Sequence, residues 1–253
     1  MLWIKRFFTG RKHQTKVGNL LSDVENLISG IVQVSGIGQL MFLVFINELI
    51  EILEMSKIKV KLFADDVKLY ARIINCIDNC TLQSALDALV EWANSWQLVI
   101  SIDKCCVMNI GRVNFACQFN VAGKILPIVP SCRDLGVVIS QNLSPSAHIT
   151  AMVVKAHQRA NLIHRCFVSR DVGLLVRAFL VYVRPLVEYN SVIWSPWLIK
   201  DIDCIEQVQR RFTKRLPGFK DLSYEDRLDR LKLPSLELLY LHADLIMCYK
   251  RAI

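Results

Sequence analysis

Two adjacent carboxylates, Asp65 and Asp66, lie between alternating apolar segments in the run Lys59-Val60-Lys61-Leu62-Phe63-Ala64-Asp65-Asp66-Val67-Lys68-Leu69-Tyr70. Oxygen ligands of this kind suit Mg²⁺, which binds through one or two carboxylates together with substrate phosphates. Both residues are therefore candidate metal ligands. The elements that must position them are legible in the alternation. Ile58, Val60 and Leu62 fall on one face of a strand, and Val67, Leu69 and Ala71 on one face of the next. The pair thus falls at the tip of a hairpin spanning 58–73. Hairpin tips favour Asn-Gly or Asp-Gly. Asp-Asp without glycine is a poor turn and sets two like charges side by side. A divalent cation is the commonest reason to accept that arrangement; a solvated acidic turn is the alternative.

The 253 residues are 53% hydrophobic, enough for one large domain or two modest ones, and the net charge is +8. The charge is clustered. Residues 1–18 hold Lys5, Arg6, Arg11, Lys12 and Lys16 with no acid; 155–170 hold Lys155, Arg159, Arg165 and Arg170 with His157 and His164; 210–220 hold Arg210, Arg211, Lys214, Arg215 and Lys220. Any one cluster reads as a solvated helix face. Three of them read as phosphate-contacting stripes and point to a nucleic-acid partner. Nine cysteines, an odd number, exclude a complete set of disulfides within the chain. They are expected to be buried thiols in a reducing, intracellular compartment, nucleus or cytoplasm. No secretory signal is evident, since Lys5 and Arg6 interrupt the short apolar start. The longest apolar run, around Leu40 to Ile46, is core-sized rather than membrane-spanning.

Along the chain, 1–18 reads as a helix end and a basic connector. Residues 40–54 read as a helix buried around most of its circumference, and roughly 79–97 as an amphipathic helix with Leu82, Ala85, Leu86, Leu89, Trp92, Ala93 and Trp96 inward. Short strands are expected at Leu98–Ile102, Cys105–Ile110, Phe115–Val121, Ile125–Val129 and Leu135–Ile139. After Asn142 the pattern turns helical. Ile202, Ile205, Val208, Phe212 and Leu216 form one stripe, ended by Pro217-Gly218. Ser223 and Asp226 form a capping pair, and Pro234-Ser235 opens a last helix with Leu236, Leu239, Tyr240, Ala243, Ile246 and Met247 inward.

The hairpin resembles the Phe/Tyr-Ala-Asp-Asp catalytic hairpin of reverse transcriptases, and other segments match the same family in order. Ser29-Gly30-Ile31-Val32-Gln33-Val34-Ser35-Gly36-Ile37-Gly38 resembles the family's Gln-Gly segment, and Phe45-Ile46-Asn47-Glu48-Leu49 its following helix. Ser101-Ile102-Asp103-Lys104-Cys105 resembles the lysine-bearing segment, and Arg133-Asp134-Leu135-Gly136-Val137 the "primer grip" hairpin. Arg184-Pro185-Leu186-Val187-Glu188-Tyr189, Trp194-Ser195-Pro196 and Val208-Gln209-Arg210-Arg211-Phe212-Thr213-Lys214-Arg215 are similar to stretches of non-LTR (LINE-type) retrotransposon polymerases.

This resemblance implies an α+β chain. A partial polymerase palm over 1–142, an antiparallel sheet with packed helices, would precede an all-helical thumb-like domain over 143–253. The implied activity is RNA-templated DNA synthesis on an RNA template/DNA primer hybrid, with deoxynucleoside triphosphates and Mg²⁺ and without a membrane partner. It casts Asp65 as the direct metal ligand with Asp66 beside it, and Lys104 as general acid towards pyrophosphate or, equally, a surface lysine at a turn. Gln33, Gly38 and Phe63 fall on the substrate side, with Gln33 either lining the nucleotide pocket or a polar core residue, and Phe63 packing behind the hairpin. Arg133, Lys155, Arg159, Arg210, Arg211, Lys214 and Arg215 would contact nucleic acid. Val34 stands where the family has a glycine that admits close backbone approach, and Val32 and Gln39 replace its two prolines. A second catalytic aspartate is expected before Trp3. The expectation is therefore a diverged fragment with an incomplete Mg²⁺ site, inactive or nearly so alone. A nucleic-acid-binding remnant without chemistry and a helical protein-interaction module are the alternatives.

Overall fold

The computed structural model describes residues 2–27, 30, 35–55, 58–111 and 117–252. Gln33, with Val32 and Val34, and the first residues of the expected strand Phe115–Val121 lie outside these. The chain is α+β and divides into two compact units, 1–105 with 114–126, and 106–113 with 127–253.

In the first unit, α1 (Leu2–Phe8) leads into four two-residue strands, β1 (Lys12–His13), β2 (Lys16–Val17), β3 (Leu20–Leu21) and β4 (Glu25–Asn26). The chain doubles back so that β2 pairs with β3 and β1 with β4, both antiparallel. Helix α2 (Gly36–Glu54) begins where the Ser35 hydroxyl accepts a hydrogen bond from the Gly38 N–H at 3.0 Å. Strands β5 (Lys59–Phe63) and β6 (Asp66–Tyr70) form the expected hairpin, with Phe63 opposite Asp66. Helix α3 (Cys76–Ser95) starts three residues before the periodicity suggested. Asn75 and Asp78 form a reciprocal capping box there, each side chain accepting from the other's backbone N–H at 3.0 Å. Burial explains the assembly. Ile46, Leu49 and Leu53 of α2 meet Ala85, Trp92 and Ala93 of α3, and Ile58, Val60, Leu62, Val67 and Leu69 of the hairpin close the core. Trp92 Nε1 donates to Glu48 at 3.2 Å across it. A single 3₁₀ turn (Ile102–Lys104) and the short pair β7 (Asn120–Val121) and β8 (Lys124–Ile125) complete the unit.

The second unit opens with β9 (Ser131–Asp134) and β10 (Val137–Ser140), paired antiparallel, followed by α4 (Ser146–Cys166), α5 (Val172–Tyr182), α6 (Arg184–Glu188), α7 (Ser191–Trp194), α8 (Ile199–Lys214), α9 (Tyr224–Leu231) and α10 (Leu236–Ala252). Its core joins Ile149, Met152, Val153, Ala156 and Ile163 of α4 to Phe179 of α5 and the α8 stripe. Phe179 and Phe212 stack with ring centres 4.4 Å apart.

Several sequence expectations are corrected. Leu98–Ile102 and Cys105–Ile110 are not strands; the first runs into the 3₁₀ turn and the second makes one isolated bridge, Val107 to Ile128. Leu135–Ile139 is not one strand either, because the turn falls at Leu135-Gly136. Helix α2 buries one side only: Leu40, Leu43 and Val44 are exposed. By length and composition alone it is long and apolar enough to cross a membrane. Ile246 and Met247 on α10 are exposed, and none of the nine free cysteines is fully buried.

Two interactions fix the helical unit. Leu135 and Gly136 have φ +43° and +89°, a two-residue turn with both central residues left-handed. The Tyr189 hydroxyl donates to the Leu135 carbonyl at 2.9 Å, and its ring lies where a Cβ on Gly136 would meet Cε1 at 3.1 Å. Elsewhere the buried Glu206 of α8 accepts from the Tyr224 hydroxyl with one oxygen. Its other oxygen accepts from the backbone N–H groups of Leu236 and Glu237 at 2.9 and 3.3 Å, so a side chain of one helix caps the start of another. Gln209 Nε2 donates to the same tyrosine oxygen at 3.1 Å and to the Pro234 carbonyl at 2.9 Å.

Gly136→Ala is expected to cost about 1–3 kcal/mol in urea unfolding of the full chain, from left-handed strain and the crowded ring together. Tyr189→Phe, which keeps the ring, should cost about 1 kcal/mol or less. Glu206→Ala strands three donors in a buried place and should cost about 3 kcal/mol or more by the same measurement.

Candidate functional site

The hairpin places both carboxylates as its alternation requires. Ala64 and Asp65 are the two central residues of the turn, and Asp66 is the first residue of β6. Ala64 takes φ +51°, a position that favours glycine and costs an alanine about 1 kcal/mol. The inward residues hold the ribbon to α2 and α3, so the bend and both acids project from a packed base and are exposed. Phe63 does not pack behind the hairpin. It is 61% exposed, because it pairs with Asp66 at the end of the ribbon, beyond the reach of the helices beneath.

Two exposed carboxylates on adjacent residues match what Mg²⁺ takes from a protein when phosphates supply the other oxygens. Among the described residues no third Asp, Glu, His or Cys joins them in a cluster that could hold a metal. Two carboxylates are fewer ligands than a two-ion clamp uses. Gly38 is buried in the first turn of α2, where its N–H is used by the cap. Lys104 ends the exposed 3₁₀ turn. Beside it Asp103 pairs with Lys124, whose hydrogen bond and charge hold the carboxyl below its ordinary value.

The basic residues of the helical unit separate into groups. Arg211 and Lys214 of α8 and Arg215 at its C-cap, spaced three and four from Arg211, line a groove against Val154, His157 and Asn161 of α4. Arg215 donates to Asn161 Oδ1 at 2.6 Å. Arg210 is turned to the other side, its guanidinium 4.9 Å from the Tyr224 ring centre. Arg133 on β9 and Lys155 on α4 are exposed, and their charges act together on His148. Arg159 is exposed on α4 and does not line the groove. What the sequence did not disclose is the groove itself. Its signal was present in His157 and His164, seven residues apart and so on one helix face.

Three histidines of α4 titrate below their ordinary range. His148 is buried against Trp194, and its Nδ1 accepts from the Val138 N–H at 3.2 Å, which requires an unprotonated nitrogen. Burial depresses it most, then Arg133 and Lys155. Burial also leads for His157, with Arg211 second, and for His164, with Arg215 next and a hydrogen bond involving the Phe212 backbone opposing.

Comparisons with known proteins follow the same lines. The "RNA-directed DNA polymerase from mobile element jockey" of Drosophila funebris is 24% identical over 89% of this chain, and its Drosophila melanogaster counterpart is 20% identical over 93%. The "Probable RNA-directed DNA polymerase from transposon BS" of Drosophila melanogaster is 23% identical over 82%. The matches take in 28%, 27% and 24% of those proteins, so the chain spans about a quarter of the length of its curated relatives. No family model and no solved structure matches.

The lowered histidines set a pH dependence. Below about 6.5 the unfolded chain binds protons that the folded one refuses, so stability falls as pH drops from 6.5 towards the folded values and is flat for these groups above it. Thermal unfolding followed at pH 7.5 and 5.5 should show a lower midpoint in acid, and His148→Gln should reduce that difference.

Proposed function

We infer that this chain, a relative of the LINE-type reverse transcriptases, works within RNA-directed DNA synthesis, one unit presenting a carboxylate pair and the other gripping nucleic acid. The observation that carries this reading is the exposed Asp65-Asp66 bend on an anchored hairpin. The cation-lined α4–α8 groove supports it. In this reading Asp65 and Asp66 hold Mg²⁺, which when bound neutralises charge on a transferred phosphate. Phe63, exposed next to the pair, is available to a substrate, and Gln33 and Gly38 belong to the segment that would approach a deoxynucleoside triphosphate. In this reading Lys104, exposed at the end of the 3₁₀ turn, would donate a proton to a leaving pyrophosphate. The substrate is an RNA template/DNA primer hybrid, its phosphates held by Arg133, Lys155, Arg159, Arg211, Lys214 and Arg215. Arg210, occupied with Tyr224, contributes through the fold rather than by contact.

Among the described residues no third ligand joins the carboxylate pair, which favours binding over two-ion catalysis for this chain by itself. Labelled-hybrid binding and primer extension separate the two. The hybrid should bind with an affinity that falls steeply with salt. Arg211→Ala or Lys214→Ala should weaken binding and each reduce the salt slope by about 1. Asp65→Ala should leave binding intact. Extension by the isolated chain should be undetectable, and extension abolished by Asp65→Ala would overturn that part. Salt-insensitive binding, or none, would refute the nucleic-acid reading.

A further inference from the structure

The α4–α8 groove has a chemistry that a row of backbone phosphates does not explain. It encloses about 500 Å³, within the range of small-ligand sites. Its rim is cationic: Arg211, Lys214 and Arg215 line it, and no Asp or Glu does. The depression of His157 by Arg211 and of His164 by Arg215 shows these groups within electrostatic reach of one another. Like charges gathered without a counter-ion are costly unless an anion joins them. Its floor, however, is apolar. Val208, Phe212 and Ala160 are buried beneath it, and Val154 stands 51% exposed at the edge. A bare phosphate gains nothing from such a floor. One polar atom also lacks a partner. His164 is 8% exposed, its ring lies 4.7 Å from that of Phe212, and its Nε2 has no hydrogen bond among the described residues. Gln158 and Asn161 bring amides to the same wall. A second hollow of about 590 Å³ shares Lys214 and Arg215 and runs on to Lys220.

An anion carrying a flat, partly apolar body with hydrogen-bonding edges fits all of these features. We propose that the groove receives one unstacked nucleotide of a single strand, its phosphate on Arg211 and Lys214 and its base against the exposed side chain of Val154. The amides of Gln158 and Asn161 would lie at the base's edge, with the buried Nε2 of His164 behind them. The neighbouring phosphate follows the second hollow towards Lys220. Recognition of splayed bases by pockets of this composition is the usual mode for single strands, and a duplex cannot enter without losing a base pair. The inference rests on the nucleic-acid reading above and adds to it a preference for an unpaired nucleotide.

The test uses the full chain, a labelled single-stranded oligonucleotide, and an RNA/DNA hybrid of the same sequence, compared by fluorescence anisotropy at one salt concentration. Val154→Trp fills the groove from an exposed position, and circular dichroism checks its fold. It should weaken single-strand binding about ten-fold more than hybrid binding. On the unaltered chain, a nucleoside monophosphate should compete for the single strand better than inorganic phosphate at equal concentration. Equal competition by the two, or a Val154→Trp effect that is absent or the same on both substrates, overturns the proposal while leaving hybrid binding standing. Failure of both nucleic acids to bind removes the functional reading as well.

Discussion

Helix α8 is the constraint on which the second unit depends. Its 3.6-residue period divides one sequence among three environments. Ile205, Val208, Phe212 and Leu216 must face the core. Once they do, Glu206, Gln209, Arg210 and Thr213 are carried to the side occupied by α9 and α10, while Arg211, Lys214 and Arg215 come out beside α4. Adjacent arginines thus have opposite fates. Arg210 lies on the Tyr224 ring and receives, at its carbonyl, the Arg227 guanidinium at 2.8 Å; Arg211 faces the groove. Burial of four apolar residues therefore determines which cations can meet a ligand. No rearrangement of the surface alone could exchange them.

The polar side of that helix works by a different rule. Glu206 is surrounded by donors from a tyrosine and two backbone amides, so its burial replaces hydration with fixed hydrogen bonds. Burial, then the hydrogen bond to Glu206 and its negative charge, push the Tyr224 hydroxyl above its ordinary range. The network orders α8, α9 and α10 by geometry rather than by apolar area, and this matters because half of α10 buries little.

How much of this the sequence disclosed follows from the range of each interaction. The β5–β6 hairpin was legible because strand alternation is local and its two arms are joined by two residues. The α8 stripe was legible for the same reason. The Leu135-Gly136 turn was misplaced because leucine rarely adopts a left-handed backbone. Tyr189, 54 positions later, donates a hydrogen bond to its carbonyl. The exposed side of α2 was misread because apolar content gives no direction when it surrounds a helix. The groove was invisible until two helices from separate parts of the sequence were brought side by side. Asp65 and Asp66 could be singled out by residue type, yet their number of partners is a three-dimensional fact.

The two candidate sites also differ in what they ask of their supports. A metal-binding pair must be exposed on a stiff base, and the hairpin supplies this by burying Val60, Leu62, Val67 and Leu69 while leaving the bend in solvent. The strain at Ala64 is sustained only because that base is packed. A nucleotide groove must instead keep cations close together without collapsing onto acids of its own chain. Here α4 packs on α8, and Phe212 lies between Phe179 and His164 beneath the groove. The first candidate site offers two exposed carboxylates on a packed hairpin; the second gathers three cationic side chains beside α4.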